Sequence, residues 1–405
     1  MLRVSILMAI AVVPFVVSYH LNQNAEHGKE NVSFRLYNGQ KEFAVSLLKT
    51  MKRISPESNH IFSPHSTYRA LLLAYFGAEG DTKVSLERAL HLNWAADKSD
   101  VNNAYKAELK ARAERAFGPN MKFNSADKIF VTYQAELKPQ ITGSLVKSIE
   151  KMDFSDVGSR REEINSFVKK VTENQIVEIL SPGSLTLSTN LVLVNAAFFH
   201  GLWATEFHHE HTRMKTFYST KPAEVEMMHV TSNFSYGVLH NVNAAYLEMP
   251  YDGEDSAISM FIYLPLENTP NAVDDLVNKF TVETMYEALS RKQVESVEVE
   301  FPKISLDSTY PLGGILQEMG INELFGVASN LTGFADNIRL HFDDAVHKAK
   351  IEINEHGTSA AAATATTNRH GYILFYCNHP FMFMINDRIS NEVLFTGIYR
   401  GPNHN

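Results

Sequence analysis

The densest group of potential metal ligands in the sequence is His208-His209-Glu210-His211. Imidazole and carboxylate groups are common zinc ligands, so this group is the first place to look for metal chemistry. It lacks the pair of histidines four residues apart that a zinc-binding helix uses, and no cysteine lies near it. We therefore predict exposed histidines here, with no bound metal ion and no other cofactor.

Motifs for enzyme catalysis do not occur elsewhere in the chain. The sequence contains no Gly-x-Ser-x-Gly, no phosphate-binding glycine-rich loop and no His-Glu-x-x-His. Cys377, the only cysteine, lies in an apolar block, which is typical of a packing residue rather than a nucleophile. Catalytic triads assemble in space, so a serine hydrolase stays open as a distant alternative, but we expect no enzyme.

The most unusual stretch lies near the C-terminus, from Glu355 to Thr367. Every side chain from Gly357 to Thr367 is small, and none is charged. Four consecutive alanines favour helix, whereas the threonines that follow favour extended backbone. One interpretation is a flexible linker of small residues. The other is a strand that can enter a closely packed space, because small side chains at every position fit on either face.

The elements on either side of this stretch are strand-like. Residues 350–355 alternate apolar and polar side chains, the period of a strand with one buried face. The segments 373–375, 377–385 and 393–399 are rich in apolar residues. The small-residue stretch therefore links two blocks that we expect to be buried strands.

Together these residues resemble the serpin family. The motifs that carry the resemblance follow the family's order along nearly the whole chain: Asn59-x-x-Phe62-Ser63-Pro64-x-Ser66, Asn195-Ala196-Ala197-Phe198-Phe199-x-Gly201-x-Trp203, Val346-His347-Lys348-Ala349, Glu355-x-Gly357-Thr358-x-Ala-Ala-Ala-Ala-Thr364, Asn378-x-Pro380-Phe381 and Phe395-x-Gly397. The resemblance assigns five residues to the region where the main sheet must part: Ser63, Ser66, Asn195, Trp203 and His347.

The resemblance implies an α+β fold, a single large domain with a central, mainly antiparallel sheet, further sheets, surrounding helices and an exposed reactive loop at about 355–376. In the family, a target serine protease cleaves this loop, and the freed segment inserts into the central sheet as a new strand. The hinge of that movement would be Glu355, Gly357, Thr358, Ser359, Ala360, Ala361, Ala362, Ala363 and Thr364. In the family's register, five residues of the inserted strand would face inward: Thr358, Ala360, Ala362, Thr364 and Thr366.

The bond that a protease would cut is predicted near the end of the loop. The family's usual count from Glu355 places it at Gly371-Tyr372. Arg369-His370 is the alternative, since Arg369 suits a trypsin-like protease, which is the target class that we expect. Tyr372 suits a chymotrypsin-like protease. The loop is about two residues shorter than in inhibitory members, and Ser359 replaces an acidic residue. We favour a serine-protease inhibitor, because non-inhibitory members of the family tend to lose the small-residue run. The shortened loop and Gly371, which gives a protease specificity pocket no side chain to hold, favour the alternative, a non-inhibitory serpin with a carrier, storage or signalling role.

The N-terminus has the pattern of a signal peptide over residues 1–18, which leaves 19–405 as a single serpin domain. Arg3 precedes an apolar run that ends near the small residue Ser18. The run is short for a membrane span, so an anchor is the less favoured interpretation. We therefore expect a secreted, extracellular protein, glycosylated at one or more of the Asn-x-Ser/Thr sequences at Asn31, Asn233 and Asn330.

The charge of the chain and its distribution bear on which other partners the protein binds. The net charge of −9 argues against nucleic acid or an anionic membrane as a general partner. A predicted helix at 101–115 carries four basic residues, but Glu108 and Glu114 interrupt its basic face. We therefore expect no polysaccharide binding there, and a protein that works as a monomer.

Overall fold

The computed structural model describes residues 33–114, 120–145, 147–253, 257–291, 293–326, 328–355 and 371–402. Its helices are α1 (Ser33–Ile54), α2 (Pro64–Gly77), α3 (Gly80–Ala89), α4 (Lys98–Ala113), α5 (Pro139–Ser144), α6 (Val157–Val171), α7 (Ala272–Lys279), α8 (Val282–Ser290) and α9 (Leu312–Glu318). None of the described helices is long and apolar enough to cross a membrane.

The strands form two sheets and are β1 (His60–Phe62), β2 (Met121–Thr132), β3 (Ile149–Met152), β4 (Leu191–Gly201), β5 (Arg213–Phe217), β6 (Ala223–Leu239), β7 (Ala244–Pro250), β8 (Ile258–Pro265), β9 (Val294–Pro302), β10 (Ile304–Pro311), β11 (Asp344–Ile353), β12 (Ile373–Tyr376), β13 (Phe381–Asp387) and β14 (Glu392–Tyr399). The larger sheet has nine strands, in the order β1-β14-β13-β8-β7-β6-β9-β12, with β5 paired to β6.

The smaller sheet has five strands, in the order β10-β11-β4-β2-β3. The β10–β11 and β2–β4 pairs are antiparallel. The β11–β4 and β2–β3 pairs are parallel. The parallel β4–β11 pair lies in the middle of the sheet, and we call it the parallel seam.

Strand β4 is buried on both faces, which explains its unbroken apolar sequence. Leu191 and Leu193 pack into the core cluster that contains α1 and α2. Val192 and Val194 point to the opposite face, where Ile164 of α6 covers them. The unbroken apolar run over 191–199 is typical of such a buried strand, and the sheet has no wet face at this strand.

Helix α2 lies against β2, β4 and β14, where it supports the five-stranded sheet. The Ser63 side chain accepts a hydrogen bond from the Ser66 backbone N–H, and Pro64 occupies the first turn. The helix ends at Gly77, where a Cβ atom would come within 2.0 Å of the Phe334 ring. The Ser63-Pro64 pair thus starts the helix by capping it, and Gly77 is required by the close packing of Phe334.

Candidate functional site

The parallel seam is the part of the fold on which the site is built. Its register runs from Asp344 opposite Val192 to Ile351 opposite Phe199. Strand β11 ends at Ile353, and β12, in the other sheet, begins at Ile373. The predicted reactive loop therefore starts at one end of the seam and leads to the other sheet. Its residues from Gly357 to His370 lie outside the described residues.

Five polar residues join the seam to helix α2, and we call them the seam cluster: Ser63, Ser66, Asp127, Asn195 and His347. Four of them are buried, and the fifth, Asp127, is partly buried. His347 of β11 lies directly opposite Asn195 of β4. Its Nδ1 bonds to Asn195 Oδ1 across the seam. Its Nε2 accepts the backbone N–H of Ser63 at 3.0 Å. The cluster thus connects both seam strands to the N-terminus of α2.

The two partners of His347 define its protonation. The Asn195 carbonyl oxygen can only accept and the Ser63 N–H can only donate, so the imidazole is neutral with its proton on Nδ1. Burial disfavours the charged ring and lowers the pKa of His347 to about 3. The bond across the seam therefore depends on a neutral histidine.

Asp127 is the member of the cluster that the sequence did not predict. Its Oδ1 accepts hydrogen bonds from Ser66 Oγ at 2.5 Å and from Asn195 Nδ2 at 2.6 Å. Burial raises the pKa of Asp127, although the Arg69 guanidinium, 3.8 Å away, acts against this. Nothing in the sequence marks this residue, because its role follows from the β2–β4 register, which places it opposite Asn195.

A second set of contacts closes the seam at the end from which the loop departs. Trp203 Nε1 donates to the backbone oxygen of Asn354 at 3.0 Å, and its ring stacks on Tyr251 with centroids 4.4 Å apart. Trp203 follows β4 and Asn354 follows β11, so this hydrogen bond also crosses the seam. The residues predicted for sheet opening therefore form two groups, with Trp203 separate from the other four.

Glu355, the first hinge residue, is fixed beside this second contact. Its Oε1 accepts from Thr212 Oγ1 at 2.8 Å and lies 3.1 Å from Lys303 Nζ. Burial acts to raise the pKa of Glu355, but the Thr212 hydroxyl and the Lys303 ammonium outweigh it and hold the pKa below its ordinary value. The loop is thus anchored at its start by an ionised, hydrogen-bonded carboxylate.

At the other end of the loop, Gly371 and Tyr372 are exposed. From Ile373 onward, β12 pairs in parallel with β9, beginning opposite Val297. Cys377 follows this strand and is fully buried, and burial raises the pKa of its thiol. The prediction that Cys377 is a packing residue is confirmed.

A protein-family model described as Serpin (serine protease inhibitor) matches residues 38–402. The chain belongs to the serpin family. Serine protease inhibitor 88Ea of Drosophila melanogaster is 36% identical over 389 residues, covering 91% of each chain. Leukocyte elastase inhibitor of Sus scrofa is 30% identical over 378 residues, covering 89% of this chain and 97% of that one.

Solved serpin structures share the fold over most of the chain. Uncleaved ovalbumin aligns with a TM-score of 0.80 at 25% identity, covering 91% of this chain and 100% of its own. Maspin aligns with a TM-score of 0.82 at 22% identity, covering 92% and 100%. The serpin fold predicted from the sequence is confirmed.

One buried group in this serpin has the residue types of a metal site. His65, Glu108 and Glu392 offer ligand atoms that lie within 4.8 Å of one another. Arg112 Nε donates to Glu108 at 3.0 Å, and an Arg112 Nη lies 3.6 Å from Glu392. Arg69 Nη1 lies 3.6 Å from the same oxygen, Glu108 Oε1. Since two arginines already neutralise both carboxylates, this group is an ionic network that joins α2, α4 and β14.

The glycosylation candidates differ in their surroundings. Asn233 is exposed on β6. Asn330 is half-buried, and its Oδ1 accepts the hydroxyl of Thr332, the third residue of its own motif, at 2.8 Å. Asn31 lies outside the described residues. Of the two described sites, Asn233 is the more accessible.

Proposed function

We propose that this serpin is a secreted inhibitor of serine proteases that acts by cleavage of its loop and insertion of the cut segment into the parallel seam. The observation that carries the proposal is the position of the loop, which begins where β11 ends and so departs from the seam itself. A segment that turns back at Glu355 enters the sheet directly beside the strand from which it came.

The direction of the inserted strand provides a driving force. After turning back, the segment runs antiparallel to both β11 and β4, so one parallel pair is replaced by two antiparallel pairs. Antiparallel pairing is somewhat more stable per residue than parallel pairing. The fourteen residues 358–371 would extend roughly 46 Å as a strand. Each new ladder hydrogen bond adds ~1 kcal/mol.

The side chains of the loop are suited to this movement. The small residues from Thr358 to Thr366 that would face inward can pass between the strands without burying a charge. A large or charged residue at one of these positions would be costly to bury. Insertion into the seam therefore explains why the inward residues of the loop are small, whereas a flexible linker would not require small residues at those positions.

The target is proposed to be a serine protease of chymotrypsin- or elastase-like preference. Several relatives are named leukocyte elastase inhibitors, which gives no support to the trypsin-like preference expected from Arg369. Tyr372, exposed just before β12, offers a large apolar side chain to such a protease. Cleavage on the C-terminal side of Tyr372 places its side chain in the specificity pocket of such a protease, whereas cleavage at Gly371-Tyr372 offers that pocket only a glycine. Cleavage at Arg369-His370 fits a trypsin-like protease.

Secretion is part of the proposal and rests on the sequence. The signal-peptide pattern of residues 1–18 and the exposed Asn-x-Ser motif at Asn233 both fit an extracellular protein. On α4, Arg112 is paired with Glu108, and Lys110 lies 3.9 Å from Glu114. This mixed charge supports the expectation that polysaccharides do not bind there.

The test is incubation with trypsin-, chymotrypsin- and elastase-like proteases, followed by denaturing electrophoresis and mass spectrometry. We expect one of them to form a covalent complex that survives SDS, together with release of a C-terminal peptide beginning between His370 and Ile373. Cleavage without a covalent complex for every protease would contradict inhibition and favour a carrier, storage or signalling role. A peptide that begins well upstream, such as at Ala361, would mean that the loop is not the bait.

A further inference from the structure

The histidine-rich segment 208–211 contains a short helical turn. His209–His211 form a 3₁₀ turn that begins after His208, and the His211 backbone N–H bonds to the His208 oxygen at 2.8 Å. In a 3₁₀ turn, residues three apart lie directly above one another. The His208 and His211 rings accordingly face each other with centroids 5.6 Å apart. The spacing of four that a zinc-binding α-helix needs does not apply to this turn.

Two residues from other strands complete the group. The ring of His229 on β6 lies 6.1 Å from that of His211, centroid to centroid. Its Nε2 is 3.4 Å from Oε1 of Glu298 on β9. Three imidazoles and one carboxylate thus meet from three separate parts of the chain, which no local motif could reveal.

The His229–Glu298 pair has the spacing of two ligands on one metal ion. With metal–ligand bonds of about 2.0–2.1 Å, neighbouring ligand atoms on a tetrahedral ion are about 3.3 Å apart and neighbouring imidazole centroids about 5 Å apart. His229 Nε2 and Glu298 Oε1 are 3.4 Å apart. The ligand atoms of the whole group do not all lie within 4.8 Å of one another, so metal binding requires the exposed rings of His208 and His211 to rotate towards His229 and Glu298.

We propose that His208, His211, His229 and Glu298 bind a divalent transition-metal ion, with Zn²⁺ the best match. Imidazole nitrogen with one carboxylate suits zinc and copper, whereas magnesium and calcium prefer oxygen ligands alone. The site differs from the buried His65 network because no arginine pairs with Glu298 among the described residues.

An open cavity of about 350 Å³ adjoins the site, lined in part by His211, His229 and Glu298. Two cationic side chains, Arg213 and Lys215, also line it. Both have partners, since Lys215 is paired with Glu300 and Arg213 donates to the backbone oxygen of Thr212 at 2.8 Å. Tyr376 of β12 donates its hydroxyl to Glu298 Oε1 at 2.7 Å, an outer hydrogen bond of the kind that orients a metal-binding carboxylate. A bound ion would thus link the 3₁₀ turn to β6 and to the β9–β12 pair.

The test is titration of the full-length protein, prepared without a histidine tag, with Zn²⁺ in a non-chelating buffer by calorimetry. We expect one saturable site, a rise in the midpoint of thermal unfolding with Zn²⁺, and no response to Mg²⁺ or Ca²⁺. Titration with Co²⁺ should give the visible absorption of a tetrahedral ion. His211→Ala and His229→Ala should each raise the dissociation constant at least about tenfold.

The matched control is His240→Ala, an exposed histidine in the turn after β6, which should leave Zn²⁺ binding unchanged. Far-UV circular dichroism and thermal unfolding in EDTA establish that each variant folds like the parent. No saturable Zn²⁺ binding in the parent, or equal binding by the parent and the His211→Ala His229→Ala double variant, would overturn the proposal.

Discussion

Each polar group of the seam cluster has a defined partner, so at the scale of single residues the cluster resists rearrangement. His347 uses both ring nitrogens, and Asn195 uses its carbonyl oxygen and its amide nitrogen. A buried polar group that loses its partner costs about 1–3 kcal/mol. The cluster therefore keeps the seam closed in the native protein, and any opening must break it.

The neutral state of His347 makes stability depend on pH. Its pKa is about 3 in the folded protein, below the value of about 6.5 for an unfolded chain. The unfolded chain takes up the proton first, so this contribution to stability is lost as the pH falls from about 6.5 towards 3. For this histidine alone, the free energy of unfolding should fall by about 2 kcal/mol between pH 7 and pH 5.

Urea unfolding of His347→Gln at both pH values measures this contribution. We expect the variant to be less stable at pH 7 but to lose about 2 kcal/mol less on acidification than the parent. His240→Gln, at an exposed histidine, should keep the parent's pH dependence. If the free energy of unfolding falls equally in His347→Gln and in the parent between pH 7 and pH 5, protonation of His347 does not cause the loss of stability.

The first inward residue of the hinge gives a second prediction at this scale. Thr358→Arg should convert the inhibitor into a substrate, because insertion would bury an unpaired guanidinium at a cost of several kcal/mol. Stalled insertion lets the acyl-enzyme hydrolyse and the protease leave. The readout is the yield of SDS-stable complex with a protease that the parent inhibits.

Ser359→Arg is the matched control, since alternate residues of a strand point to opposite faces and Ser359 would face outward. It should form the complex as the parent does. Equal yields for Thr358→Arg and the parent would contradict insertion at this hinge.

At the scale of elements, the parallel seam is the weaker of the two inner strand pairs of the five-stranded sheet. Parallel ladders are slightly less stable per residue than antiparallel ones. The other inner pair, β2–β4, is antiparallel and extends over Met121 to Val131. The sheet should therefore part between β4 and β11 rather than between β2 and β4.

A disulfide across the seam tests this directly. Ala197 and Ala349 are fully buried register partners. Adjacent strands lie about 4.8 Å apart, within the Cα range of about 4.4–6.8 Å for a disulfide. We expect Ala197→Cys Ala349→Cys to form covalent complex when reduced and to be only a substrate when oxidised.

The same variant in its two redox states is its own control, and each single cysteine variant should be insensitive to oxidant. Cys377 is buried and should not interfere. Full inhibition by the verified oxidised form would show that the seam need not open.

The sequence predicted elements better than it predicted contacts between them. The start of α2 at Ser63-Pro64 and the buried strand β4 follow from local capping and unbroken hydrophobicity. Asp127 joins the seam cluster only through the β2–β4 register. His229 and Glu298 meet only because β6 pairs with β9. These contacts join residues far apart in the chain, so they depend on which strands become neighbours and in what register. The sequence around each residue does not reveal its partner.

At the scale of the whole molecule, secretion would add glycan to an otherwise acidic surface. We expect protein expressed in a secreting eukaryotic cell to lose mass on glycosidase treatment, and Asn233→Gln to remove more of that loss than Asn330→Gln. Asn233 is the more exposed of the two. An unchanged mass after glycosidase treatment would mean that the secreted protein carries no glycan at these asparagines.

If the loop inserts as proposed, the uncut protein is less stable than the cut one at the scale of the whole molecule. The loop reaches its place in the sheet only after cleavage. The direct measurement is thermal unfolding before and after proteolysis between Arg369 and Ile373. Insertion of a strand with about ten new hydrogen bonds should raise the unfolding midpoint by on the order of 10 °C. The cut Thr358→Arg variant should gain little of this increase. An unchanged or lower midpoint in the cut parent would contradict insertion, and with it the proposed mechanism of inhibition.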